Sequence, residues 1–284
     1  MGSDPMTRRL ALVNQKGGVG KTTTAINLSA YVAEAGLRVL LVDLDPQANA
    51  TACLGINHTE VKGGTYDALI GRSQAADHIL HNPKLKLSLL PSSPALAGAQ
   101  VELVEMEDRE SLLRKALEPL DGRYDYVFID CPPSLGLLTL NGLVAASHGV
   151  IVPVQCEYLA LEGLTQLMQT LRRVRATLFP ALMVQGLVLT MFDPRTNLSS
   201  EVAAEVQKHF PGEVFRTLIP RSVRLAEAPS HGVPISAYDR SSTGALAYQS
   251  LAREFLSRDG VRWGTGRSRT EEHHDKEKRP GSRS

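Results

Sequence analysis

Short runs of consecutive apolar residues alternate along this chain with longer stretches in which apolar positions recur every three or four residues. Arg9–Asn14, Arg38–Asp45, Leu85–Leu90, Tyr124–Asp130, Gly149–Val154, Met183–Met191 and Val214–Ile219 read as strands. The spacing predicts helices over 22–35, 94–120, 159–178, 199–209 and 242–256. In the third of these, Leu161, Leu164, Leu167, Met168 and Leu171 share one face. The strands are apolar throughout rather than alternating, as in sheets covered on both faces. Strands taking turns with helices predict an α/β fold: a doubly wound, mostly parallel sheet flanked by helices, in a single domain over 7–258.

The flanks read differently. Residues 1–6, Met-Gly-Ser-Asp-Pro-Met, look like an expression-tag remnant ahead of a native start. Residues 259–284 hold seven Lys or Arg and five Asp or Glu with few apolar residues, which predicts a disordered polar tail. Over the full 284 residues the formal net charge is +1, so nucleic-acid binding would have to come from a local patch. No stretch approaches the ~20 apolar residues of a membrane span. Cys53, Cys131 and Cys156 are scattered without a C-x-x-C pair, which predicts reduced thiols in a cytoplasmic protein.

Candidate chemistry sits at strand ends. After the first strand comes Lys16-Gly17-Gly18-Val19-Gly20-Lys21-Thr22-Thr23. Glycines let backbone N–H groups curl around phosphates, Lys21 adds charge, and the Thr22 hydroxyl suits Mg²⁺. The usual pattern would place its first glycine at position 15, where this chain has Gln15, and a second lysine, Lys16, stands inside the loop. Asp43 and Asp45 end the second strand, and Asp130 ends the strand Tyr124–Asp130, before Cys131-Pro132-Pro133. Carboxylates at the C-terminal ends of parallel strands lie where such sheets bind ligands.

The loop Lys16–Thr23 resembles the deviant Walker A motif of the ParA/MinD group of P-loop NTPases. Asp130-Cys-Pro-Pro-Ser-Leu-Gly-Leu-Leu-Thr-Leu-Asn141, Pro153-Val-Gln-Cys-Glu-Tyr158 and Ile219–Ser230 resemble the chromosomal ParA (Soj) family more specifically. The resemblance implies an ATPase of chromosome or plasmid partitioning, with ATP and Mg²⁺ as cofactors. It assigns Lys16 to the nucleotide of a facing subunit, hence an ATP-dependent homodimer, and Asp45 to the attacking water. It gives Mg²⁺ to Thr22 and Asp130, with Asp43 in support. Pro220 and Arg221 match the adenine-side loop, and Arg195 and Arg224 match positions used for non-specific double-stranded DNA; Arg216 belongs to the same basic stretch. A centromere-binding ParB-type partner would stimulate hydrolysis, placing the protein on the nucleoid. Ser222 stands where the family often has Asn, and Tyr238–Gly244 departs from a commoner Asp-Pro-Arg-Ser pattern.

Three other readings share the loop. A MinD-type membrane-positioning ATPase would end in an amphipathic helix, yet after Arg258 only Val261 and Trp263 are apolar. A nucleotide-controlled DNA-binding scaffold with negligible turnover would keep the loop and lose hydrolysis. An iron–sulfur reductase would need a second ligand cysteine near Cys131, which the chain does not show.

Overall fold

The structure is a computed structural model that describes residues 7–264. The tag-remnant reading of residues 1–6 and the tail from 265 onward lie outside the described residues.

The chain runs β1 (Arg8–Leu12), α1 (Lys21–Glu34), β2 (Val39–Asp43), α2 (Asn49–Cys53), α3 (Thr65–Leu69), β3 (Leu80–Asn82) and β4 (Leu87–Leu90). It continues with α4 (Leu96–Glu102), α5 (Leu112–Leu117), β5 (Tyr126–Asp130), α6 (Leu137–Ala145), β6 (Gly149–Gln155), α7 (Ala160–Thr177) and β7 (Val184–Thr190). It closes with α8 (Asn197–His209), α9 (Val223–Glu227), α10 (Ile235–Tyr238) and α11 (Thr243–Arg258). The sheet order is β3-β4-β2-β5-β1-β6-β7, and only the β3–β4 pair is antiparallel. The doubly wound expectation holds.

Because side chains alternate across a strand, each apolar run feeds two cores. Ala11, Leu40, Val42, Val127 and Ile129 point to one face, against α3 to α8. Leu10, Leu12, Val39, Leu41 and Phe128 point to the other, against α1 and α11. Close approach on the first face demands Gly142 in α6: a Cβ there would lie 2.5 Å from Cys131 Sγ. Cys131 thus packs a helix onto β5.

Three expectations need correction. Val214–Ile219 forms no regular strand and touches the sheet edge through isolated bridges, Leu187 with Val214 and Phe192 with Pro220. Phe215 donates its N–H to Leu187 of β7 (2.9 Å), but the Thr217 N–H that would continue the ladder goes instead to the carboxylate of Glu254 in α11 (2.9 Å), which also accepts the Arg216 N–H (2.8 Å). The helical stretch 94–120 is broken into α4, a 3-10 turn and α5 by the polar turn at 106–111. The polar tail does not begin at 259. Asp259 is joined to Arg8 (2.8 Å), His148 (2.6 Å) and the Tyr126 hydroxyl, and Trp263 lies under the Arg253 guanidinium.

Candidate functional site

The loop between β1 and α1 is built to leave backbone donors exposed. Gly18 and Gly20 have φ of +75° and +86°, in the left-handed region that favours glycine. A Cβ at Gly17 or Gly18 would meet nothing within 4 Å, so the loop's concave side is open. Gly20 is the N-cap of α1, and no side chain caps this helix. Its first-turn N–H groups therefore point outward with the positive end of the helix dipole. Around this opening the loop is pinned. Thr190, ending β7, donates its hydroxyl to the Val19 carbonyl (2.8 Å), and Asn14 donates its side-chain amide to the Pro153 carbonyl (2.7 Å).

Lys21 is 6% exposed and donates to the Lys16 carbonyl at 3.2 Å, so it curls back over its own loop. Burial lowers the pKa of its ammonium, while Asp130 and Asp45 oppose that shift. Thr22 and Thr23 follow it in the first turn of α1.

Parallel register places Asp43 directly beside Asp130 at the C-terminal edge of the sheet. Both are fully buried, and their surroundings divide their roles. Asp43 Oδ2 accepts both the backbone N–H (2.8 Å) and the hydroxyl (2.7 Å) of Thr51, and Oδ1 accepts the Asp45 N–H (3.2 Å). Burial still pushes its carboxyl up to about 6. Neither Asp130 oxygen meets a donor at good hydrogen-bond geometry, although the Thr22 hydroxyl lies close enough to favour its charged form. Burial raises its pKa well above the ordinary value, and neighbouring Asp43 adds to the rise; the nearby Thr22 hydroxyl and Lys21 oppose it. A buried carboxylate without a well-placed donor is costly unless something else satisfies it.

Asp45 is 5% exposed. Its Oδ1 caps the following turn through the Gln47 N–H (2.9 Å), and its carbonyl accepts the Ser92 hydroxyl (2.7 Å). The Ser92 N–H in turn donates to Thr51 Oγ1 (2.9 Å). Thr51 and Ser92 thus tie the two β2 carboxylates to the loop after β4. The apolar and charge patterns gave no signal for either residue.

Lys16 turns away from the Asp130 side. Its ammonium pairs with Glu157, which lies just past the end of β6, and its side chain is 48% exposed. Beside Glu157 stand the exposed Tyr158 and Leu159. Glu157 lies within the family-like segment Pro153–Tyr158 but matches no site position implied by the resemblance. The signal available was an acid at a strand end level with a surplus lysine.

The basic positions gather on two adjacent loops beyond β7. The Phe192 N–H donates to the Ile219 carbonyl and the Arg221 N–H to the Phe192 carbonyl, each at 3.0 Å, so Pro220 and Arg221 lie beside the turn bearing Arg195. Arg195 forks onto Asp193 at 2.9 and 2.7 Å, and Arg221 adds its charge to that carboxylate, whose pKa is held down to about 2. Arg224 on α9 pairs with Glu227 (3.0 Å) and Asp239 (3.4 Å). Among the described residues no group of three His, Cys, Asp or Glu could hold a metal ion, and all three cysteines are free thiols. No described helix is long and apolar enough to cross a membrane.

The family model described as "AAA domain" (AAA_31) matches residues 7–184. The chain is 52% identical to the chromosome-partitioning ATPase Soj of Treponema pallidum, over 90% of this chain and 100% of that protein. It is 53% identical to the sporulation initiation inhibitor protein Soj of Bacillus subtilis, over 88% and 98%. Among solved structures it is similar to cobyrinic acid a,c-diamide synthase from Mycobacterium smegmatis with bound ADP and magnesium. There the identity is 40%, with 92% of this chain and 97% of that one covered and a TM-score of 0.79. The septum site-determining protein MinD of Pyrococcus horikoshii, complexed with Mg-ADP, is 25% identical over 90% and 98%, with a TM-score of 0.73. This chain belongs to the Soj/ParA family of chromosome-partitioning ATPases.

Proposed function

We propose that this chain is the ATP-driven switch of a DNA-partitioning system, in which ATP and Mg²⁺ bind at the loop 16–23 and pair two copies face to face. One observation carries the reading: Asp130, buried without a well-placed donor, stands beside Lys21, Thr22 and the uncapped start of α1. That arrangement fits a magnesium nucleotide. Mg²⁺ favours sites with one or two carboxylates plus phosphate oxygens over all-protein cages. Thr22 and Asp130 would hold the ion, and it would supply positive charge to the phosphate oxygens during transfer.

The remaining roles follow from position. Gly17 to Thr23 present N–H donors to phosphates, and Lys21 lends its charge from within. Asp43, spent on Thr51, keeps the β2 end rigid rather than serving as the leading ligand. Asp45, fixed by Gln47 and Ser92, orients the attacking water. Lys16 is surplus to its own pocket, since Lys21 occupies that place. The resemblance gives Lys16 to the nucleotide of the second copy, which it would reach after leaving Glu157. Pro220 and Arg221 border the adenine side.

Pairing doubles the number of Arg195 and Arg224 contacts offered to a DNA backbone, so nucleotide state sets DNA affinity. Phosphate contacts of this kind are blind to sequence and suit the nucleoid. A ParB-type partner stimulates hydrolysis and releases the pair. The test is a DNA-binding titration with ATP, ADP and no nucleotide. Lys16→Ala should lose ATP-dependent binding, Arg224→Ala should bind more weakly with a shallower salt dependence, and Asp45→Ala should stay bound with ATP. Equal binding by Lys16→Ala and the parent sinks the two-chain switch; rapid release of Asp45→Ala sinks its assigned role.

A further inference from the structure

The helix α4 is anchored from beneath and bare above. Leu96, Ala99 and Leu103 are fully buried in the core. On the opposite side Pro94, Ala97 and Val101 are exposed, with Val104 in the turn beyond, at helical spacing; Val101 is 75% exposed and Val104 54%. Isolated surface valines are ordinary, but a stripe of them on one short helix is an unpartnered face.

Acids surround this stripe. Glu102, Glu105, Glu107, Asp108 and Glu110 fall within residues 101–110, with Arg109 the one basic residue among them. Glu102 accepts from the Tyr66 hydroxyl (2.6 Å) and pairs with Arg72 (3.6 Å), Asp108 pairs with Lys115 (2.7 Å) and Glu110 with Arg109 (3.1 Å), which leaves Glu105 and Glu107 as the source of the patch's charge. Glu105 and Glu107 are exposed, and neither takes part in an ion pair among the described residues. Such a face repels a phosphate backbone, so its complement is neither DNA nor an anionic membrane. It matches a basic protein segment carrying apolar anchors, the charges steering encounter and the valines holding it.

The helix also lies near the loop that follows β5. The Gln100 side chain reaches the loop 131–136, where its Oε1 would lie 3.7 Å from a Cβ at Gly136. That loop leaves Asp130 directly, and Gly136 is the N-cap of α6. A segment seated on α4 would therefore press on the backbone that carries Asp130.

We propose that the exposed face of α4 and of the turn after it, with Val101 on the helix and Val104, Glu105 and Glu107 beyond it, is the docking surface for a basic, apolar-anchored segment of the protein that stimulates hydrolysis. This rests on the stimulating partner of the proposed function. The test uses the full-length chain with ATP and DNA, the ParB-type protein of the same replicon as probe, and two variants, Val101→Ser/Val104→Ser and Glu105→Lys/Glu107→Lys. Both changes lie on exposed side chains, and ATP-dependent DNA binding and unstimulated turnover should stay as in the parent. Partner affinity should fall about tenfold or more in each, and stimulation should fall with it. The lysine variant should also lose most of the salt dependence of partner binding and should recover when the partner's basic residues are exchanged for glutamate. If the parent responds to the partner and both variants respond equally, the α4 surface is wrong and the switch reading stands. If the parent neither binds nor responds to the partner, the stimulated switch fails and this surface falls with it.

Discussion

Asp130 offers a prediction in which stability and function move in opposite directions. Replacing it by Asn removes a buried group whose charged form has no well-placed donor on either oxygen. An unsatisfied buried acceptor costs about 1–3 kcal/mol, more when charged. Each kcal/mol moves the midpoint of a domain this size by about 2–4 °C; Asn removes the charge but leaves a polar amide in the same buried place, so Asp130→Asn should melt only about 2–4 °C higher without ligand. Lys21 then loses one of its two opposing carboxylates, which places the result toward the lower end. The pH dependence separates this account from simple repacking. The folded-state pKa of Asp130 is raised, so the folded chain keeps a proton that the unfolded chain sheds at about pH 4. Stability should therefore fall as pH climbs from about 4 through the raised value. Asp43, pushed up to about 6, contributes its own loss, but only over about pH 4 to 6. Thermal unfolding of the ligand-free protein across pH 4.5 to 8.5 should show the parent losing more stability with rising pH than Asp130→Asn does. Adding Mg²⁺ with ADP should raise the parent's midpoint and leave the variant's close to its value with ADP alone. A variant less stable than its parent, or one that keeps the full magnesium-dependent rise, refutes the reasoning.

Other consequences follow from single contacts. Gly142→Ala should cost about 1–3 kcal/mol in urea unfolding because its Cβ meets Cys131 Sγ. Combining it with Cys131→Ala should return part of that loss; strict additivity in the double variant would count against the contact. Asp259→Asn should destabilise by about 1 kcal/mol, since Arg8 and His148, each about a third exposed, lose their shared carboxylate but keep access to water, yet nucleotide affinity should not change. Glu157→Gln frees the Lys16 ammonium, so half-maximal pairing in sedimentation should need less protein with ATP present. An unchanged midpoint would show that the ion pair does not restrain Lys16.

The parts of the site legible in the sequence are those written as local chemistry. Apolar runs ending in Asp mark β2 and β5, and glycines with two lysines mark the loop, because each pattern has few other physical uses. What escaped is set by contacts between distant segments. The edge strand β3 pairs with β4 through Leu80, His81 and Asn82, all exposed, so no apolar pattern announced it. Val214–Ile219 has a strand's composition, but Glu254, thirty-five or more residues away, takes its backbone donors. Thr51 and Ser92 look like ordinary polar residues until folding brings them to Asp43 and Asp45. The difference between Asp43 and Asp130 is likewise invisible in sequence. Both end apolar strands, and only Thr51 distinguishes them, by satisfying the carboxylate of Asp43 and not that of Asp130.

The joining of Arg8 to Asp259 also bears on how the molecule can be handled. Both residues sit at the start edge of β1 and β5, so the two ends of the folded body leave side by side, opposite the nucleotide loop. A short linker from the region of Asp259 back to Arg8, with new termini opened at an exposed turn such as 106–111, should yield a circular permutant that still folds. A fluorescent domain or a surface anchor attached at either end would hang from that edge. It would leave the opening above Gly17 and Gly18 unobstructed.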